Sequence, residues 1–260
     1  ELSPDGVHLA FMRWPGFWEL WMPDSKISDF NDYSFDNVSI EINKGESIGF
    51  IGKSGSGKTT LFNSIVGHHA IDSGEIHFDG QEISSLTIPK IARLGMLRTF
   101  QQTHIYGKMS CVKNMQISSD IDANWRSIFS PFSKEVDEMA DELLAFVGLY
   151  KKRFLLAGDL SFGQQKLLEF AMALMKKPKM LLLDEPTAGV NPTLINGLID
   201  RLRQVNEEKG ITLLVIEHNM RVIMNLAEHI YCVAGGTMLA EGKPDDIQND
   251  QRVIDAYLGN

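Results

Sequence analysis

Apolar residues along this chain fall into short runs that read as strands and longer stretches with helical spacing. Residues 38–42 alternate apolar and polar side chains, the pattern of a strand with one face in a core. Residues 47–51, 179–183 and 211–216 are short, nearly continuous apolar runs, as in strands covered on both faces. Between these lie stretches that predict helices over 58–66, 135–147, 162–176, 192–208 and 219–227. Ser133 and Gly148 bound the second helix. A Ser hydroxyl satisfies the unpaired amides that open a helix, and Gly accepts the turn that closes one. Asp79-Gly80 separates 75–78 from 81–83, and Gly235-Gly236 separates 230–233 from 237–240, so each pair of runs reads as a hairpin.

Strands alternating with helices predict a mainly parallel sheet. The first hairpin adds an antiparallel β layer, and polar, helix-rich residues from about 102 to 156 form a helical subdomain. The expected fold class is α/β, with one domain over residues 27–260. Residues 1–26 read differently: Phe11, Trp14, Phe17, Trp18 and Trp21 are broken by Pro4, Pro15, Gly16 and Pro23, and no single period fits. This segment is expected to fold onto the domain's own surface, the other reading being a tail beside a membrane, where Trp favours the interface. The chain opens at Glu1 rather than Met, which raises the expectation of a domain cut from a longer chain that carries a permease.

Composition narrows the classes. A chain of 260 residues that is 43% hydrophobic and 23% charged can bury a core under a soluble surface. A net charge of −9 argues against nucleic acid as the main partner, since that partner selects basic faces. Cys111 and Cys232 are far apart and outside any Cys-x-x-Cys pattern, so they read as reduced thiols. His68, His69, His77, His104 and His229 form no ligand pattern. No run approaches the roughly 18 apolar residues that a spanning helix needs, so any pore belongs to another polypeptide or segment.

The chemistry begins at Gly52-Lys53-Ser54-Gly55-Ser56-Gly57-Lys58-Thr59, which follows a predicted strand and opens a predicted helix. This is the phosphate-loop (P-loop) pattern. Its glycines let successive amides point into one anion-sized hollow, and the helix N-terminus adds positive potential. Lys58 can reach β- and γ-phosphates and the Thr59 hydroxyl can ligate Mg²⁺. Met180–Asp184 followed by Glu185 supplies two carboxylates at the C-terminal end of a buried strand, Asp184 for the metal and Glu185 for the attacking water. A GTPase would carry Asn-Lys-x-Asp after a strand, and the sequence downstream of the loop has none.

Leu160-Ser161-Phe162-Gly163-Gln164-Gln165-Lys166 opens a predicted amphipathic helix about twenty residues before Asp184. With this segment the chain resembles the ABC ATPases, whose signature is LSGGQ, and the motifs extend from about residue 28 to the C-terminus. The resemblance implies a P-loop NTPase core that sandwiches ATP between two such domains. ATP contacts are then expected from Gly52, Lys53, Ser54, Gly55, Ser56, Gly57, Lys58, Thr59 and Thr60, and from Ser161, Gly163 and Gln164 of the opposite subunit. Lys58, Gln101, Glu185 and His218 are the implied catalytic residues, and Thr59, Gln101 and Asp184 the implied Mg²⁺ ligands. Gln102, beside Gln101, leaves the register of that loop open by one, and Phe30 and Tyr33 are the aromatic candidates to stack on adenine, with Phe35 behind them. Residues 188–191 match the loop that communicates across the dimer, with Asn191 where the family has Asp, and Phe162 replaces the second signature glycine.

Arg98-Thr99-Phe100-Gln101, the Ala-Gly-Val-Asn-Pro run, Ile216-Glu217-His218-Asn219-Met220 and the closing Tyr257-Leu258-Gly259 look like the ATPases of branched-chain and hydrophobic amino acid importers. That likeness implies a second ABC subunit, transmembrane permease subunits and a solute-binding protein as partners, at the cytoplasmic face of the inner membrane. Lipopolysaccharide-exporting ATPases are close in pattern, and a soluble role in cluster assembly is the remaining rival.

Overall fold

The computed structural model describes residues 18–28, 34–99, 104–119 and 132–258. In chain order the elements are β1 (Trp18–Ser28), β2 (Ser34–Asn43), β3 (Ser47–Ile51), α1 (Lys58–Ile65), β4 (His77–Phe78), β5 (Gln81–Glu82), α2 (Ile88–Leu94), β6 (Met96–Thr99), α3 (Cys111–Ser118) and α4 (Lys134–Phe146). They continue with α5 (Phe162–Leu174), β7 (Met180–Asp184), α6 (Pro192–Lys209), β8 (Thr212–Ile216), α7 (Met220–Leu226), β9 (His229–Ala234), β10 (Thr237–Gly242), α8 (Pro244–Asn249) and α9 (Gln251–Leu258).

Six strands form the central sheet in the order β10-β9-β3-β8-β7-β6, parallel apart from the β9–β10 hairpin. Side chains on a strand point alternately to opposite faces, so each apolar run feeds two cores. On β7, Met180 and Leu182 join Phe50, Leu61, Phe62 and Phe78 in the core that holds α1 and the antiparallel layer. Leu181 and Leu183 enter the other core, with Leu168 of α5, Leu202 of α6 and Ile223 of α7. The antiparallel layer has the order β2-β1-β4-β5. Its β4–β5 turn has φ of 50° at Asp79 and 77° at Gly80, as expected of this dipeptide.

The helical layer begins with α3 and α4, and their apolar faces share a core with α5. Ser133 caps α4 by accepting from the Val136 amide at 3.3 Å, as its sequence predicts. Among the described residues no helix is long and apolar enough to cross a membrane.

Two parts of the fold differ from the sequence reading. Strand β1 starts inside the lead segment and runs across residue 26, antiparallel to β2. Its register slips at three places, one between Met22 and Ser25, around Pro23. Register slips interrupt the regular alternation of a strand and proline withholds a donor, which is why no strand period is visible there. The four residues of strand β6 are too few to display a period, yet it pairs with β7 along its length.

Candidate nucleotide site

Residues 52–57 join β3 to α1. A Cβ on Gly52 would stand 2.4 Å from the Val233 carbonyl oxygen and 2.5 Å from Ser56 Oγ, so only glycine lets the loop leave β3 this close to β9. Gly55 and Gly57 take φ of 81° and 96°, which curls the backbone before α1 starts. Lys58 is buried, and its ammonium donates to the carbonyls of Gly52 (2.7 Å) and Lys53 (2.9 Å) and to Ser56 Oγ (3.3 Å). Burial lowers its pKa, while the Glu185 and Asp184 carboxylates act in the opposite sense. Lys53, Ser54, Gly55 and Thr59 are exposed, whereas Ser56 and Thr60 face inward.

Strand β7 ends in Asp184, which is buried and ion-paired to Arg98 Nη2 at 2.6 Å. Glu185 follows with φ of 49°, a left-handed conformation that costs a non-glycine residue on the order of 1 kcal/mol and marks functional turns. Its amide donates to the Ile216 carbonyl at 2.9 Å and its carbonyl accepts from the Ala188 amide at 3.0 Å. The Glu185 carboxylate meets His218 Nε2 at 2.5 Å.

Behind this pair sits Glu217, only 3% exposed. Its Oε1 accepts from the Thr187 amide at 2.9 Å and from the Thr187 hydroxyl, and its Oε2 accepts from the amides of His218 (3.1 Å) and Asn219 (3.3 Å). One carboxylate thus joins the turn after β7 to the turn after β8. Four donors satisfy its buried oxygens.

Ser161 precedes α5 in a capping box, its amide donating to Gln164 Oε1 at 3.3 Å. Lys152 Nζ donates to the same oxygen at 3.0 Å, so Gln164 is engaged within its own helical layer. Phe162, 44% exposed, lies against Gly189, where a Cβ would come within 2.9 Å of the ring. A Cβ on Gly163 would meet Leu194 Cδ1 at 2.9 Å, which ties the helix start to α6. Asn191 caps α6, accepting from the Thr193 amide (3.0 Å) and hydroxyl (2.8 Å). Lys58, Asp184, Glu185 and His218 therefore gather at the C-terminal ends of the adjacent strands β3, β7 and β8, where parallel sheets bind ligands. Gln101, Gln102, Phe30 and Tyr33 lie outside the described residues.

Residues 35–188 match the ABC transporter family model. The chain belongs to the family of ABC transporter ATP-binding subunits. Residues 237–260 also match the model of the branched-chain amino acid ATP-binding cassette transporter. The cassette is 36% identical over 231 residues to the probable branched-chain amino acid transport ATP-binding protein LivG of Archaeoglobus fulgidus, covering 87% of this chain and 90% of that one. It is 35% identical over 230 residues to the high-affinity branched-chain amino acid transport ATP-binding protein BraF of Pseudomonas aeruginosa, covering 85% and 90%. A crystal structure of the ADP conformation of an ATP-binding cassette of an ABC transporter superposes with a TM-score of 0.83 at 33% identity, covering 94% of this chain and 99% of that one. The cassette is accordingly an ATP-binding ATPase, with the P-loop α/β fold that its motifs imply.

Two residues of the cassette's site carry no motif role in the sequence: Arg98 flanks Gln101 and Glu217 flanks His218. Their signals were a cation inside a short apolar run and an acid directly after a buried one.

Proposed function

We propose that this cassette works as one of two ATPase subunits that drive a permease for branched-chain or other hydrophobic amino acids, at the cytoplasmic face of the cell membrane. The observation that carries the substrate class is the likeness to LivG and BraF over nearly their full length, together with the C-terminal match over 237–260.

In this reading the amides of residues 53–59 bind the phosphates and Lys58 turns its ammonium toward the β- and γ-oxygens. A Mg²⁺ ion suits the oxygen donors Thr59 and Asp184. Such a hard cation takes one or two protein oxygens and completes its shell from phosphate and water. Among the described residues no cluster of three or more His, Cys, Asp or Glu competes to hold a metal. When bound, the ion neutralises phosphate charge. Glu185 orients the attacking water and accepts its proton, and His218 donates a hydrogen bond to the γ-phosphate. Gln101 is the assigned further contact to metal and water, and Phe30 or Tyr33 the stacking ring. Ser161, Gly163 and Gln164 would meet the γ-phosphate held by the second cassette, the role that their match to the family signature implies.

A permease contact is supported on the helical layer. The backbone of 107–112 pairs with 153–158, through Ala157 N to Met109 O at 2.8 Å and Cys111 N to Leu155 O at 3.0 Å. This pairing leaves Tyr106, Met109, Phe154, Leu155 and Leu156 exposed, a larger apolar group than a solvent-facing surface needs. A solute-binding protein would deliver the amino acid on the far side.

The test is reconstitution with a branched-chain amino acid permease, in vesicles, with ATP inside or out. Leucine uptake that requires ATP and stops on Lys58→Ala is the expected result. Stimulation by a lipopolysaccharide instead, or purification with no multi-spanning partner, would overturn the reading.

A further inference from the structure

Strand β6 brings Arg98 between α1 and β7. Its Nη2 donates to Asp184 Oδ2 at 2.6 Å and its Nη1 donates to Asn63 Oδ1 at 2.5 Å. The guanidinium carbon stands 5.6 Å from the centroid of the Phe62 ring. The ion pair is shielded from water, with 6% of the arginine side chain and 9% of the aspartate exposed. Three elements that serve the site converge on this side chain: the strand leading to Gln101, the helix that carries Thr59 in its first turn, and the strand that delivers Asp184.

A planar fork can hold two oxygens at once in fixed directions, which a lysine ammonium on a flexible stem does not. Arg98 Nη2 holds Oδ2 of Asp184, and a carboxylate has a second oxygen with which to ligate a hard cation. We propose that Arg98 is a positioning residue for the divalent cation of the nucleotide complex: it sets the Asp184 carboxylate and tethers it to α1, so that Asp184 and Thr59 keep one mutual distance. The inference rests on the reading above that these two residues hold Mg²⁺. It differs from a purely structural strut, which would affect unfolding and leave cation affinity untouched.

Partners that orient a ligating carboxylate from behind are typically worth roughly 10–100-fold in metal affinity. The probe is Mn²⁺, titrated by electron paramagnetic resonance into the whole chain saturated with a non-hydrolysable ATP analogue. Arg98→Ala is expected to weaken Mn²⁺ binding by roughly 10–100-fold, while analogue binding in EDTA stays near the parent value. Arg98→Lys should recover part of the loss, since it restores charge without the fork. Unchanged or tighter Mn²⁺ binding by folded Arg98→Ala, or full recovery by Lys, would overturn the proposal. If Arg98→Ala does not fold, Asn63→Ala cuts only the tether to α1 and should weaken Mn²⁺ binding, and an unchanged affinity there overturns the proposal equally. Failure of the parent chain to bind Mn²⁺ with the analogue would instead remove the metal assignment on which the inference stands.

Discussion

His218 Nε2 stands 2.5 Å from Glu185 Oε1, across the C-terminal ends of the neighbouring strands β8 and β7. The left-handed backbone at Glu185 is held by two backbone hydrogen bonds, and His218 is held by the carboxylate of Glu217. Neither side chain is placed by its own local propensity. The surrounding turns set both, as is usual where a strained residue serves chemistry.

Glu185→Gln is expected to lower ATP turnover by roughly 10²–10⁴, the usual range for loss of a general base, with ATP binding retained. Phosphate release under steady-state conditions checks the first part and equilibrium binding of labelled ATP the second. Hydrolysis near the parent rate would show that another group activates the water.

Glu217→Ala leaves three amides and a hydroxyl without their buried acceptor, which should cost about 3 kcal/mol of stability. Urea unfolding should show a lower midpoint with an unchanged slope, and ATPase activity should fall because the His218 turn loosens. Glu217→Gln keeps one acceptor and turns an NH₂ toward the other donors, so it should lose much of the same stability. A midpoint equal to the parent's for both variants would refute the role given to this carboxylate.

Tyr231 gives a pH dependence with a definite sign. Burial pushes its phenol up to about 12, and its hydroxyl donates to the Glu41 carbonyl at 3.1 Å. The folded chain therefore keeps a proton that the unfolded chain releases near pH 10. The stabilisation is complete below that pH and is lost as pH rises from about 10 through 12, a change on the order of 2 kcal/mol. Chemical unfolding at several alkaline pH values should show this slope, and Tyr231→Phe should lessen it, with Tyr257 and Cys232, both also raised by burial, supplying the remainder. An equal slope in both proteins would contradict the assignment.

Cys111 and Cys232 are fully buried, and burial raises both thiols, Cys232 to about 11. Since the thiolate is the reactive form, a disulfide-exchange reagent at pH 8 should modify both quickly in guanidinium and slowly in the native chain. A thiol that reacts within seconds in the native protein would count against this packing.

Much of the architecture was legible in the residues because its causes are local. The two hairpins follow from dipeptides that accept positive φ, helix α4 from Ser133 and its apolar spacing, and the buried strands from apolar runs. The phosphate loop is equally local, because its glycines, its lysine and its helix start are contiguous. Strand β1 was not legible: its register slips, one of them around Pro23, break the alternation that a strand would show.

The sequence by itself determined which side chains can do chemistry: Lys58 on a glycine loop, Asp184 and Glu185 at a strand end, His218 after another. Only tertiary structure decided how they are held. Strand order places β7 between β8 and β6: its pairing with β8 creates the Glu185–His218 pair and the Glu217 clamp on Thr187, and its pairing with β6 creates the Arg98 grip on Asp184. Those contacts join residues remote along the chain, and their geometry comes from how strands and helices pack. No local period or turn preference encodes it.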